Sequence, residues 1–186
     1  QKKPDYLILS GDLTFNGEYE SMLGLAKYFR QIEENGTQVS VIPGNHDIHS
    51  SWARRFVGSE MEKAKQISPT AFRETFADFG YDLATHQDPD SLSYVIEPKR
   101  NYPIMMMDTN IYSDIETSKS PTTEGKIKIE TAAWLAKYFE ENAPAIWVGH
   151  HPILAHAKSE RTGNTLENAD EINPLLKEQG INALFA

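Results

Sequence analysis

The sequence predicts an α/β fold, a sandwich with mixed central sheets and flanking helices. Two observations support this prediction. Short apolar runs alternate with longer segments in which apolar residues recur every three or four positions, which is the pattern of strands alternating with helices. The chain also has 186 residues, which fits one ordinary domain and is short for two domains with separate cores. We therefore expect residues 1–186 to form a single domain.

The first elements predict a βαβ unit. The apolar run Asp5–Ser10 stops at Gly11 and is typical of a buried parallel strand. An apolar stripe with helical spacing follows over Glu18–Glu34, and Asn35–Gly36 ends it. Val39–Ile42 is the next strand. A strand, a helix of this length and a second strand predict a right-handed parallel crossover.

The second half of the chain repeats the alternation of strands and helices. Strands are predicted at Leu92–Ile96, Pro103–Met107, Ala145–Val148 and Ile181–Ala186, and helices at Glu130–Glu141 and Asp170–Gln179. Tyr112–Gly125 is polar and is predicted to be a loop. Because the sequence ends inside an apolar strand, we expect the domain to be incomplete.

Residues 48–90 differ from these halves and are predicted to form a helical insertion over the edge of the sheet. Ser51–Phe56 and Pro69–Phe79 are its predicted short helices. Ser68 is the expected N-cap of the second helix, with Pro69 as its first residue.

Composition excludes several classes of function. With 18 basic and 27 acidic residues the formal charge is −9, which disfavours binding of extended nucleic acid. The absence of cysteine excludes disulfides, thiolate nucleophiles and iron–sulfur clusters. No apolar stretch is long enough to cross a bilayer, so we expect a soluble chain. The compartment, cytoplasmic or secreted, and the oligomeric state stay open.

Three polar clusters each lie just beyond the carboxyl end of a predicted strand. They are Gly11–Thr14, Gly44–Asp47 and Gly149–Pro152. Ligands of open α/β sheets bind at this edge. The clusters combine carboxylate, amide oxygen and imidazole without thiolate, a mixture that suits zinc, manganese or iron. The sequence therefore predicts a metal site.

The order of these motifs resembles that of the calcineurin-like metallophosphoesterases. The matching residues are Gly11–Asp12 with Gly17, then Gly44–Asp47, then Gly149–His150. The sequence from Asp47 to Phe56 is similar to that of the bacterial branch of the family, which includes cyclic-nucleotide phosphodiesterases. The resemblance implies a metallophosphoesterase-type α/β sandwich, here without the first and last motif strands of the family.

The resemblance also implies a mechanism and a set of residues. Two metal ions, Mn, Fe or Zn, would activate a bridging hydroxide that attacks a phosphoester. Asp12 matches the bridging aspartate, Asn45 and His150 match ligands of the second metal, and His46 matches the histidine that assists the leaving group. The expected substrate is a small phosphodiester, with a cyclic nucleotide as one candidate. The alternatives are a phosphomonoesterase acting on nucleotides or phosphoproteins, and a non-catalytic binding member.

Two departures from the family pattern affect these expectations. The family's Asp-x-His motif before Gly11 and its Gly-His-x-His motif after the last strand are not in this sequence. We therefore expect this segment alone to bind metal weakly and to be weakly active or inactive. Phe15 also stands where some members have an aspartate that orients the catalytic histidine, so His46 needs another orienting residue, for which Asp47 is a candidate.

Further residues near the clusters have two interpretations each. His151 is expected to line the site beside His150. His49 and His156 could line the pocket or be exposed loop histidines. Arg54 could bind a substrate phosphate or pair with one of the many carboxylates. Asp108 is expected to serve a turn or cap.

Overall fold

The computed structural model describes residues 3–98, 102–142, 144–155, 164–178 and 184–185. The chain divides into two compact units, which comprise residues 1–83 with 112–121, and residues 84–111 with 122–186. Each unit combines helices with parallel strands, so the predicted mixed α/β class is confirmed. The expectation that residues 1–186 form a single, incomplete domain stays a prediction.

The first unit begins with the predicted βαβ arrangement. Its elements are β1 (Tyr6–Leu9), α1 (Tyr19–Glu34), β2 (Gln38–Val41), β3 (Arg54–Val57), β4 (Glu60–Lys63), α2 (Pro69–Thr75) and a short 3₁₀ helix (Tyr81–Leu83). Strands β1 and β2 pair in parallel, from Tyr6 opposite Gln38 to Leu9 opposite Val41. Both strands therefore end at the same edge, which places the loops after Leu9 and Val41 beside each other.

Aromatic side chains form the core of the first unit. Helix α1 buries Met22, Ala26 and Phe29, which lie on one face at helical spacing. The ring of Phe29 lies 6.0 Å from that of Phe76 and 5.5 Å from that of Phe79. These rings join α1 to the segment that follows α2.

The predicted helix over Ser51–Phe56 is wrong, because Arg54–Val57 forms strand β3 and pairs with β4 in an antiparallel hairpin. Val57 lies opposite Glu60, so only two residues form the turn. The first of them is Gly58 at φ +63°, a conformation that two-residue hairpin turns require and that glycine adopts without strain. Residues 48–90 thus contain strands as well as helix, although α2 begins at Pro69 with Ser68 as its N-cap, as predicted.

The second unit contains a five-stranded mixed sheet. Its elements are β5 (His86–Gln87), β6 (Tyr94–Ile96), β7 (Ile104–Met107), α3 (Ile129–Glu141), β8 (Ile146–Gly149), α4 (Ala169–Glu178) and β9 (Leu184–Phe185). The strand order is β5-β6-β7-β8-β9, antiparallel as far as β7 and parallel from there. The predicted turn at Lys99–Asn101 lies outside the described residues.

One face of this sheet packs against both helices of the unit. Met105, Met107 and Trp147 are buried with Leu135 of α3 and Leu176 of α4. The Met-rich strand β7 therefore serves the core, as its position between two strands requires. Among the described residues, no helix has both the length and the apolar composition needed to cross a membrane.

Removal of the Phe76 ring should destabilise the first unit strongly. Phe76 is 0% exposed and contacts the rings of Phe29, Phe72 and Phe79, so Phe76→Ala leaves a cavity that should cost about 3–5 kcal/mol. Tyr28 of α1 is 65% exposed, and Tyr28→Ala should change the free energy of unfolding by less than about 0.5 kcal/mol. Urea denaturation of both variants tests this, and equal losses would contradict the assigned core.

Candidate metal centre

Asp12 lies in a strained turn directly after β1. Its φ of +49° is in the left-handed region, which residues other than glycine seldom adopt, and Gly11 before it has φ +108°. The turn brings the Asp12 carboxylate against Gly44, where a Cβ atom would lie 2.3 Å from both the backbone N and Oδ1 of Asp12. Position 44 therefore has to be glycine for the two loops to meet.

The same carboxylate reaches the other side of Asn45. The backbone N–H of His46 donates to Oδ1 of Asp12 at 3.2 Å. Because Gly44 and His46 flank Asn45, this contact makes Asp12 and Asn45 neighbours, and their role as ligands of one metal stays a prediction. The side chain of Asp12 is exposed and that of Asn45 is half-buried.

The buried carboxylate of Asp47 fixes this arrangement. Its Oδ2 accepts a hydrogen bond from the N–H of Gly44 at 2.8 Å, and its two oxygens lie 3.0 and 3.1 Å from the N–H of Leu13. Leu13 follows Asp12 and Gly44 precedes Asn45. One side chain thus satisfies donors from both loops and holds them in register.

Burial dominates the ionisation of Asp47. The pKa of this carboxyl is raised from its ordinary 3.8 to about 7, chiefly by desolvation and also by the nearby charge of Asp12. Hydrogen bonds from the backbone of Gly44, Leu13 and Thr14 lower the pKa and offset part of this effect.

Gly17 closes the first loop onto the second. Its φ is +68°, and a Cβ atom there would lie 2.2 Å from the carbonyl oxygen of Asp47. The N–H of Gly17 donates to Oγ1 of Thr14 at 3.0 Å, which forms a tight turn. The loop from Asp12 to Gly17 is therefore held at both ends by backbone contacts with the second loop.

His46 is oriented by Asn16. Nδ1 of His46 lies 2.8 Å from Oδ1 of Asn16. An amide oxygen can only accept, so Nδ1 carries a proton and Nε2 is the ring atom that exchanges one. The candidate Asp47 is wrong for this role, because its oxygens bond the backbone of Leu13 and Gly44. The sequence held a weak signal, since Asn16 directly follows Phe15, the position of the family's orienting aspartate.

Trp52 covers one side of the same histidine. Its ring centre lies 5.4 Å from that of His46, with the planes inclined by 54°. The indole N–H donates to Oγ of Ser120 at 3.2 Å, which anchors the ring. The imidazole is therefore restrained by an amide at Nδ1 and by an aromatic neighbour.

His150 and His151 follow β8 in the second unit and have different environments. His151 is buried, its Nδ1 lies 2.8 Å from Oγ1 of Thr109, and a Cβ at Gly125 would be 2.4 Å from its ring. This packing holds the His151 ring inside the second unit, and its expected place in the lining of the site stays a prediction. His150 is half-buried, so its ring is the more accessible of the two. Its role as a metal ligand stays a prediction.

The remaining candidates have distinct positions. His49 is buried and its Nδ1 contacts the carbonyl oxygen of Ser113 at 2.6 Å, so an exposed loop position for it is wrong. Arg54 donates to the carbonyl oxygens of Ser51 and Ala53. Asp108 accepts from the backbone of Leu92 and Asn110, which confirms its turn role. His156 lies outside the described residues.

Asp12 and Asn45 are the neighbouring residues that would hold a metal ion in this unit. A carboxylate and an amide oxygen are hard donors that suit a divalent cation, and the close approach at Gly44 leaves no space there for a side chain. Within the described ranges, no group of three or more His, Asp or Glu side chains is placed to hold a metal ion. The donors present fit a metal, and further ligands are needed to complete its coordination.

Comparison with known families identifies the chain. A family model described as calcineurin-like phosphoesterase matches residues 1–186. The chain belongs to this family. The resemblance noted in the sequence is thus confirmed, as is the fold class that it implied. Calcineurin-like phosphoesterases are metal-dependent enzymes that generally use divalent ions. No curated protein matches the sequence.

The raised pKa of Asp47 predicts a pH dependence of stability in metal-free protein. The folded state binds the Asp47 proton more tightly than the unfolded state. This proton therefore contributes fully to the free energy of unfolding below pH 3.8, and its contribution is lost as the pH rises from 3.8 through about 7. The loss amounts to about 4 kcal/mol. Denaturation in EDTA at several pH values measures it. Asp47→Asn should flatten the slope, whereas the exposed Asp82→Asn should not; equal slopes would contradict the assignment.

Proposed function

We propose that this calcineurin-like phosphoesterase hydrolyses a phosphodiester, with a cyclic nucleotide as one candidate substrate. The observation that supports this most is that two candidate metal ligands, Asp12 and Asn45, lie beside an imidazole of fixed orientation, that of His46. Asp12 and Asn45 are neighbours, and His46, next in the chain to Asn45, has its Nδ1 held by Asn16. Oxygen donors and a proton-exchanging group within one loop pair are what phosphoester hydrolysis requires.

The proposed roles follow from the chemistry of each group. Asp12, Asn45 and His150 would hold the second of two metal ions, and Asp12 would also contact the first. Bound metal lowers the pKa of water and stabilises charge on phosphate oxygens. The backbone contacts of Gly44 and His46 with Asp12 fix the direction of the carboxylate before any ion binds, which reduces the ordering that binding requires.

His46 is proposed as the general acid for the leaving group. Because Nδ1 donates to Asn16, the proton given to the leaving oxygen comes from Nε2. As a general acid, the ring would give up this proton to the leaving oxygen and regain it in each turnover. The indole of Trp52, 5.4 Å away, packs beside the same ring.

A comparison of two aryl substrates tests the reaction class. We expect bis(p-nitrophenyl) phosphate, a diester, to be cleaved faster than p-nitrophenyl phosphate in the presence of Mn²⁺, and neither to be cleaved in EDTA. Preference for the monoester would replace the diester assignment with a phosphomonoesterase. Lack of turnover of both by a chain extended through the family's Asp-x-His and Gly-His-x-His motifs, with Mn²⁺ bound, would indicate a non-catalytic binding protein.

Loss of His46 should slow the chemical step more than it weakens metal binding. His46→Ala removes the proton donor and should lower kcat by about 10²- to 10⁴-fold. Asn45→Ala removes a ligand and should instead weaken Mn²⁺ binding, measured by calorimetry. If His46→Ala lost metal as readily as Asn45→Ala, His46 would be a ligand.

Asn16 is a positioning residue, and its effect should appear in kcat and not in KM. Asn16→Ala frees the imidazole to rotate, which should lower kcat roughly 10- to 100-fold. Asn16→Asp retains an acceptor oxygen for Nδ1 and should recover most of this loss. A loss of thermal stability without a change in kcat would assign Asn16 a structural role only. The pH profile of kcat separates the two cases, because only a displaced acid changes its shape.

A further inference from the structure

A cleft of about 510 Å³ in the first unit lies between the loop that follows Asp12 and the β3–β4 hairpin. Two aromatic side chains line it and are unusually accessible: Phe15 is 80% exposed and Phe56 is 72% exposed. Exposed rings of this kind offer flat surfaces on which a nucleobase can stack.

The hairpin places two like charges directly opposite each other in the cleft. Arg54 lies across from Lys63, and because alternate residues of a strand share a face, both are on the face that carries Phe56. Like charges at opposed positions destabilise a strand pair. The neighbouring pair of the hairpin has opposite charges. Arg55 lies across from Glu62, and its Nη2 and Nε donate to Oε2 of Glu62 at 2.8 and 3.1 Å.

Neither cation of the opposed pair is neutralised. Among the residues that the structure describes, Arg54 and Lys63 form no ion pair, and Nη1 of Arg54 is held by the carbonyl oxygens of Ser51 and Ala53. These hydrogen bonds fix the guanidinium without cancelling its charge. An anion bound between the two side chains would remove their repulsion.

The rest of the lining keeps an excess of positive charge. The charged residues that line the cleft are Arg54, Arg55, Lys63, Lys65, Glu18 and Glu20. Glu18 is buried, so Glu20 is the carboxylate that is accessible to solvent. With Arg55 paired to Glu62, the cations Arg54, Lys63 and Lys65 still outnumber the two carboxylates of the lining, in a chain whose net charge is −9, and an anion would be attracted to them.

The cleft adjoins the candidate metal centre through the chain itself. Thr14 and Phe15, which line the cleft, are two and three residues after Asp12. Since consecutive Cα atoms are about 3.8 Å apart, the Cα of Phe15 lies within roughly 11 Å of that of Asp12. One nucleotide is long enough to span such a distance.

We propose that this cleft binds a second nucleotide of the substrate, with its base against Phe15 and Phe56 and its phosphate between Arg54 and Lys63. The proposal rests on the phosphodiesterase function above and narrows its substrate to a linear dinucleotide that carries a further phosphate. Water adds to the phosphorus of the diester, the P–O bond to one nucleoside breaks, and the leaving oxygen takes a proton. A cyclic mononucleotide lacks the second base and phosphate and leaves the cleft unfilled.

Binding without metal tests the cleft independently of catalysis. In EDTA, calorimetry should show that AMP binds at least about 10-fold more tightly than adenosine or inorganic phosphate, because only AMP has both ring and anion. Lys63→Gln and Arg54→Gln should each weaken AMP binding severalfold and leave adenosine binding unchanged. Arg30→Gln, which removes a cation paired with Asp78 elsewhere in the unit, is the matched control and should change nothing.

Two results of the binding experiment would overturn the proposal: AMP binding no tighter than adenosine binding, or equal AMP affinity in Lys63→Gln and the native chain. Lys63→Gln serves as the decisive variant should Arg54→Gln fail to fold, since Lys63 holds no backbone group. Hydrolysis assays with Mn²⁺ then test the nucleotide-binding cleft separately from the phosphodiesterase function. The dinucleotide pApA should be preferred over ApA and over cyclic AMP, and this preference should fall in Lys63→Gln. Cleavage of all three at equal rates would refute the cleft assignment and leave the phosphodiesterase intact.

Discussion

The Asp47 carboxylate holds together the two loops from which the candidate metal centre is built. It accepts hydrogen bonds from Leu13 in one loop and Gly44 in the other, and it is fully buried. Parallel pairing of β1 and β2 brings the loops to one edge, but pairing alone does not fix their relative height or direction. Asp47 supplies that restraint, and the contacts of Asp12 with residues 44 and 46 depend on it.

Much of this could be predicted from the sequence because its causes are local. The strands β1, β2, β7 and β8 are apolar runs bounded by glycine or proline, and α1 and α3 have apolar stripes of helical period. The neighbouring positions of Asp12 and Asn45 follow from parallel strands that end together. For these elements, the apolar pattern of the sequence agrees with their burial in the tertiary structure, so the pattern alone predicts the element.

Other features depend on contacts between residues distant in sequence. Trp52 and Phe56 are spaced as on a helix, yet a two-residue turn at Gly58 and pairing with β4 make the segment a strand. The contact of Asn16 with His46 joins residues 30 positions apart, and the family motif gives no sign of it because it specifies neither the identity nor the direction of residue 16. The environment of His151 also depends on distant residues, since the ring packs against Gly125 and its Nδ1 lies 2.8 Å from the hydroxyl of Thr109.

The two glycines that press one loop against the other also determine where this enzyme could diverge. Positions 17 and 44 tolerate no side chain, and the residues they lock, Asp12 and Asp47, have no freedom to change independently. Phe15 lies between Asp12 and Gly17 in the first loop and is 80% exposed. Its side chain can therefore be exchanged without disturbing the two glycine contacts, so the outer surface of this loop can vary while its inner side keeps its shape.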